Sequence, residues 1–140
     1  MRSSLLLSLN YGKHAKTNKM VYLITGKAGA GKTHYARTLL SEILTKETVF
    51  IDGDKLREET GNHDYSDEGR MRNLKDAALM AQRAEGEGKI VAVAMIAPRK
   101  DWRNMMRAHW QDSHTVYIPG GTLWKDTKYE KPNIYELKGH

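Results

Sequence analysis

Five apolar residues in a row, Met20-Val21-Tyr22-Leu23-Ile24, stand directly before a cluster of glycines. So short a run, rich in β-formers and closed by glycine, predicts a buried strand. From Thr33 to Lys46 the apolar positions change period. Tyr35, Ala36, Leu39, Leu40, Ile43 and Leu44 recur every three to four residues, which predicts an amphipathic helix. Thr48-Val49-Phe50-Ile51 reads as a second strand ending at Asp52. A second helical pattern covers Ser66 to Glu85, with Leu74, Ala77, Ala78 and Ala81 on one side and Gly86 and Gly88 as its stop. The unbroken run Ile90 to Ile96 predicts a central strand covered on both faces, closed by Pro98. A short helix over Lys100–Trp110, a fourth strand at Thr115–Ile118 and a loop-rich remainder complete the pattern.

Strands alternating with helices predict right-handed βαβ units and a mainly parallel sheet of about four to five strands in a three-layer α/β/α sandwich. In such sheets ligands sit beyond the carboxyl ends of the strands. The chemically telling residues follow the strands.

Gly26-Lys27-Ala28-Gly29-Ala30-Gly31-Lys32-Thr33 matches G-x-x-x-x-G-K-[ST] in full, between a strand and a helix. This is the phosphate-binding P-loop, and it makes the expected fold class that of the P-loop NTPases. The glycines let backbone N–H groups converge on a polyphosphate, and the helix N-terminus adds its partial positive charge. ATP with Mg²⁺ is the expected pair of cofactors. Lys32 is expected to reach the β- and γ-phosphates, and the Thr33 hydroxyl to ligate magnesium.

The second strand runs into Asp52-Gly53-Asp54-Lys55-Leu56-Arg57. Two acids one residue apart at the ligand edge suit a general base for an acceptor hydroxyl and a carboxylate that helps hold magnesium. A strand-ending turn with Asp54 as a helix N-cap accounts for the same residues. The segment resembles the D-G-D-N-x-R element of adenylylsulfate kinases, with Lys55 at the Asn position. Tyr65-Ser66-Asp67-Glu68-Gly69-Arg70-Met71-Arg72-Asn73 is similar to that family's F-S-x-x-D-R-x-E-N segment. Ile96-Ala97-Pro98-Arg99-Lys100-Asp101-Trp102-Arg103 looks like its I-S-P-Y-x-x-D-R stretch. Gly121 to Pro132 looks like its closing G-x-x-x-x-D-x-x-Y-E-x-P element.

These enzymes phosphorylate the 3′-hydroxyl of adenosine 5′-phosphosulfate, a step of sulfate assimilation. The resemblance implies Asp54 as catalytic base and as a magnesium-side carboxylate, with Lys32 as the catalytic cation. It further implies Asp52, Arg57, Tyr65, Arg70, Asn73, Ala97 and Pro98 as substrate-binding residues, with Tyr65 stacked on the base. There are departures. Ala97 stands for Ser, Arg99 for an aromatic residue and Trp102 for Asp. The family's basic helical lid, an R-D-x-K-x-L-Y type sequence, is missing between Ile118 and the closing element. Charge for the transferring group then falls to Lys32, magnesium and Arg99, Arg103 or Arg107.

Length and composition fit this picture. The chain has 140 residues, a formal charge of +6 and no cysteine, which allows one domain and excludes disulfides and thiol chemistry. A basic balance fits a small anionic, nucleotide-like substrate, and it also fits nucleic acid. Residues 1–19 carry only Leu5-Leu6-Leu7 as an apolar patch, below the roughly 7–15 residues of a secretory core and the roughly 20 of a membrane span. They read as a leader, 20–140 as the kinase domain, and the protein as cytoplasmic, with a homodimer left open. No histidine pair has ligand spacing; His34 reads as surface, Trp102, Trp110 and Trp124 as core and rim, and the methionines as core fillers. Two other functions fit the motifs. One is a polynucleotide 5′-hydroxyl kinase, and the other a lid-less ATP-binding module without turnover.

Overall fold

A computed structural model describes residues 20–124 and 127–137. The leader and Asp126 of the closing element lie outside the described residues. Four strands form one sheet: β1 (Met20–Thr25), β2 (Thr48–Asp52), β3 (Ile90–Met95) and β4 (Ser113–Tyr117). Their order is β2-β3-β1-β4, and every pairing is parallel. The two apolar runs become the two central strands, β1 and β3, buried at every position and paired from Met20 with Ile90 to Thr25 with Met95.

Alternation along β1 divides the core. Met20, Tyr22 and Ile24 face α1 (Lys32–Ser41) and pack with Ala36, Leu39 and Ile43. Val21 and Leu23 face the other side, against α2 (Gly53–Thr60), α3 (Asp67–Gly86) and α4 (Lys100–Arg107). Ala77, Ala78, Ala81 and Ala84 give α3 a smooth stripe that lies close to the sheet. Full burial of a residue such as Leu23 stabilises the fold by roughly 1.5–3 kcal/mol. The short helix α5 (Ile134–Leu137) packs beside β4. The chain leaves β1 over one face towards β2 and leaves β3 over the other towards β4. A crevice opens beyond their carboxyl ends, where such a reversal puts a ligand.

Four boundaries differ from the periodic pattern. Helix α1 ends at Ser41, because Glu42 N–H turns back onto the Leu39 and Leu40 carbonyls and Leu44 lies past the sheet, 89% exposed. Helix α2 begins at the acid pair, but its N-cap is Asp52 and not Asp54: the Asp52 carboxylate accepts from Asp54 N–H at 3.0 Å. Strand β4 begins two residues early, at Ser113. Helix α4 stops at Arg107. Helix α3 holds its expected span, capped by Ser66 Oγ, which accepts from Gly69 N–H.

Candidate active site

The P-loop leaves β1 at Thr25 and enters α1 at Lys32. Gly29 and Gly31 take left-handed backbone, φ 76° and 106°, which L side chains resist. No side chain caps α1. Its first-turn N–H groups are therefore free to receive an anion. The Lys32 ammonium arches over the loop and donates to the Lys27 carbonyl at 2.7 Å. Burial pushes the Lys32 pKa down, while the carboxylates of Asp54 and Asp52 push it back up.

A cavity of about 480 Å³ opens beside the loop. Ala28, Gly29, Gly31, Lys32 and Thr33 of the loop line it together with Asp52 and Asp54, and so do Arg57, Arg70, Asn73, Ala97 and Pro98. Gly26, Lys27 and Ala30 belong to the loop without lining the cavity. Asn73, itself buried, ties α3 to α2 by donating from Nδ2 to the Gly53 carbonyl at 3.1 Å. Its Oδ1 and the Arg70 Nε are buried without a partner. Buried polar atoms in native proteins are nearly always paired. An orphan acceptor and an orphan donor on residues of one cavity wall suit a ligand carrying both kinds of group.

Arg57 lines the cavity, but its Nη1 already donates to the Asn62 and Asp64 carbonyls at 3.1 and 2.9 Å. Its guanidinium lies 4.5 Å over the Tyr65 ring. Tyr65 is 55% exposed and does not line the cavity. The charge expected from α4 is engaged elsewhere. Arg99 pairs with Asp101, and Arg103 and Arg107 are buried on Glu136; none of the three lines the cavity.

The closing segment lies against the P-loop, a contact that the sequence pattern does not announce. After β4 the chain turns back along the P-loop, where Ala28 and Thr122 exchange backbone hydrogen bonds of 3.0 and 2.9 Å. Gly121, φ 75°, makes this approach, since a Cβ there would stand 2.4 Å from the Ala28 oxygen. Two residues on, Trp124 joins the cavity wall with the Arg70 guanidinium 4.3 Å over its ring. Trp102 lines the same cavity from the core, Trp110 is core alone, and Trp124 is the half-exposed one of the three. The glycine pair after β4 and an aromatic residue beyond a strand end were the available signals.

Thr33 and the Asp52 and Asp54 carboxylates fit a magnesium ion held chiefly by nucleotide phosphates. Among the described residues no cluster of three or more histidines and carboxylates forms a cage of its own. No helix of the described residues is long and apolar enough to cross a membrane.

A parallel sheet of order 2-3-1-4, a Gly-rich loop between β1 and α1, and an acid pair after β2 together define a P-loop NTPase fold of the nucleotide-kinase kind. The sequence model of the adenylylsulphate kinase family matches residues 18–137, and the chain belongs to that family. It is 31% identical over 128 residues to a probable adenylyl-sulfate kinase of Archaeoglobus fulgidus, covering 85% of this chain and 82% of that protein. It is 29% identical over 105 residues to the cytidine diphosphoramidate kinase of Campylobacter jejuni, covering 74% of this chain and 62% of that protein. The Mycobacterium tuberculosis APS kinase CysC, solved in complex with AMPPNP and APS, superimposes with a TM-score of 0.65 at 25% identity, over 74% of this chain and 64% of that one. The chain spans about half the length of several other curated kinases that it matches.

Proposed function

We propose that this protein is a cytoplasmic ATP-dependent kinase that transfers the γ-phosphoryl group to a hydroxyl of a small anionic nucleotide, with adenosine 5′-phosphosulfate as the acceptor. The observation that carries this is that one cavity is lined by the phosphate loop, the acid pair beside Lys32, and Arg70 and Asn73 with their orphan polar atoms. A donor and an acceptor bound end to end would meet at Asp52 and Asp54.

The chain's residues divide the work. The P-loop N–H groups and Lys32 hold the donor's phosphates and neutralise charge as the terminal P–O bond breaks. Asp54 takes the proton of the acceptor hydroxyl as its oxygen bonds to phosphorus, and ADP leaves. Thr33 and the acid pair would hold magnesium, which when bound supplies charge neutralisation between the phosphates. Arg70 and Asn73 orient the acceptor, so that most of the acceleration comes from positioning. The Gly121–Trp124 segment covers one side of the loop where a longer lid would otherwise exclude water.

A second acceptor class has a specific observation behind it. The likeness to a cytidine diphosphoramidate kinase and the departures at Ala97, Arg99 and Trp102 fit an acceptor with a different base or anionic group. The test is ATP consumption with Mg²⁺ across adenosine phosphosulfate, cytidine diphosphate derivatives and a 5′-hydroxyl oligonucleotide. Turnover with adenosine phosphosulfate, lost in Asp54→Asn, is expected. Turnover confined to a cytidine nucleotide or to the oligonucleotide would reassign the acceptor. ATP binding with no turnover on any acceptor would sink the kinase assignment in favour of a binding module.

A further inference from the structure

The wall at Ala97 is held from behind by the far end of the chain. Ala97 has φ 42°, the one positive value at a non-glycine among the described residues, and it precedes Pro98. A side chain and a following proline both oppose that conformation. It persists only where neighbours over-determine it. Here Arg103 Nη1 donates to the Ala97 carbonyl at 2.7 Å, and Thr25 Oγ1 donates to the Ile96 carbonyl at 2.5 Å. Arg103 is fully buried, and its Nε and Nη2 donate to the Glu136 carboxylate at 2.5 and 3.2 Å. The Tyr129 hydroxyl lies 2.6 Å from Thr25 Oγ1, and Glu130 N–H donates to the Pro98 carbonyl at 2.7 Å. Arg103, Tyr129 and Glu136 do not line the cavity.

Resting on the acceptor assignment above, we propose that Arg103 and Glu136 are positioning residues of the acceptor pocket. The buried carboxylate fixes the guanidinium, the guanidinium fixes the left-handed Ala97 carbonyl, and that carbonyl sets the wall at Ala97–Pro98. Breaking a buried ion pair that served stability alone would lower the melting temperature without a preference for either ligand.

Three variants separate the two roles. Glu136→Gln keeps the shape but removes the charge, and Tyr129→Phe loosens only the Thr25 side, a milder change if the first fails to fold. In these two single variants the acceptor KM should rise, by roughly tenfold in Glu136→Gln, the reach of one strained left-handed residue. The dissociation constant of a non-hydrolysable ATP analogue should stay within about twofold over the same variants. Glycine takes left-handed backbone without penalty. The double variant Glu136→Gln/Ala97→Gly should therefore recover the acceptor KM while its melting temperature stays low. Equal shifts for both ligands, or no rescue by glycine, overturn the proposal. The backbone carbon NMR shifts of Ala97 need no acceptor. If wild type turns over no acceptor but these shifts move in Glu136→Gln, the acceptor assignment fails and the positioning link stands. Unmoved shifts overturn the link itself.

Discussion

The two groups of residues that line the cavity are built in opposite ways. The phosphate end is eight consecutive residues, Gly26 to Thr33, whose conformation follows from two glycines and a helix start. The residues proposed to bind the acceptor come from a span reaching from Arg57 to Trp124, and the wall at Ala97 is braced by Thr25, Arg103 and the segment from Tyr129 to Glu136. The loop is local in sequence, with one backbone strap from Gly121 and Thr122 against Ala28. The other group is assembled by side-chain hydrogen bonds between distant segments. Donor binding can therefore survive changes that alter the acceptor, which suits a fold whose relatives carry the names of kinases for different acceptors.

The largest expected effects fall at Asp54 and Lys32, which act on each other across the cavity lining. Asp54→Asn should lower turnover by about 10²–10⁴-fold with nucleotide affinity intact, and Lys32→Ala by about 10²–10³-fold with nucleotide affinity weakened as well. Steady-state rates beside titration of an ATP analogue measure both, and a rate within tenfold of wild type in either variant would remove that residue from the mechanism. Gly121→Val tests the donor end alone. Its side chain would collide with the Ala28 carbonyl, and overpacking of this kind costs about 1–3 kcal/mol. Nucleotide affinity should fall by about tenfold or more while the acceptor KM holds; an unchanged affinity would mean that the strap does not shape the loop.

Asn73→Ala probes the other end. It leaves the Gly53 carbonyl without its donor, at a cost of about 1–3 kcal/mol in stability. The acceptor KM should rise several-fold with nucleotide affinity kept. Matching shifts for both ligands would erase the division between the two ends.

The smallest effect concerns pH. Burial pushes the Glu136 carboxyl up, yet the hydrogen bonds and charges of Arg103 and Arg107 outweigh it and hold the pKa below the usual 4.5. A carboxyl depressed in the folded state binds more protons when unfolded. Its stabilisation is then complete above about pH 4.5 and is lost as pH falls through the folded value. Melting temperatures followed downward from pH 6 should drop below that point, and Glu136→Gln should flatten the drop. An identical acid profile in the variant would show that Glu136 stays neutral or uncoupled.

Much of this was legible in the order of residues. The runs at Met20–Ile24 and Ile90–Ile96 announced two strands buried on both faces, because continuous apolar sequence has no exposed side to offer. The P-loop was legible for a related reason: its function resides in the backbone of consecutive residues, so spacing alone specifies it. Of the residues that the pattern from Asp52 to Asn73 singles out, all but Tyr65 line the cavity, and the helix at Gly53–Thr60 is capped by Asp52 and not by Asp54. Its formation depends on Leu56 reaching the core and on Asp52 as cap, neither of which a short polar segment advertises.

Other features belong to the tertiary structure alone. Nothing periodic marks Trp124 as a cavity residue, Gly121 as a partner of Ala28, or Glu136 as the counter-charge of two buried arginines. The arginines of α4 looked available for catalysis because sequence records charge but not burial. A local motif encodes its geometry in neighbouring φ and ψ angles. A wall made by residues 25, 97, 103, 129 and 136 exists only after the sheet has brought them together, and that is a property of packing.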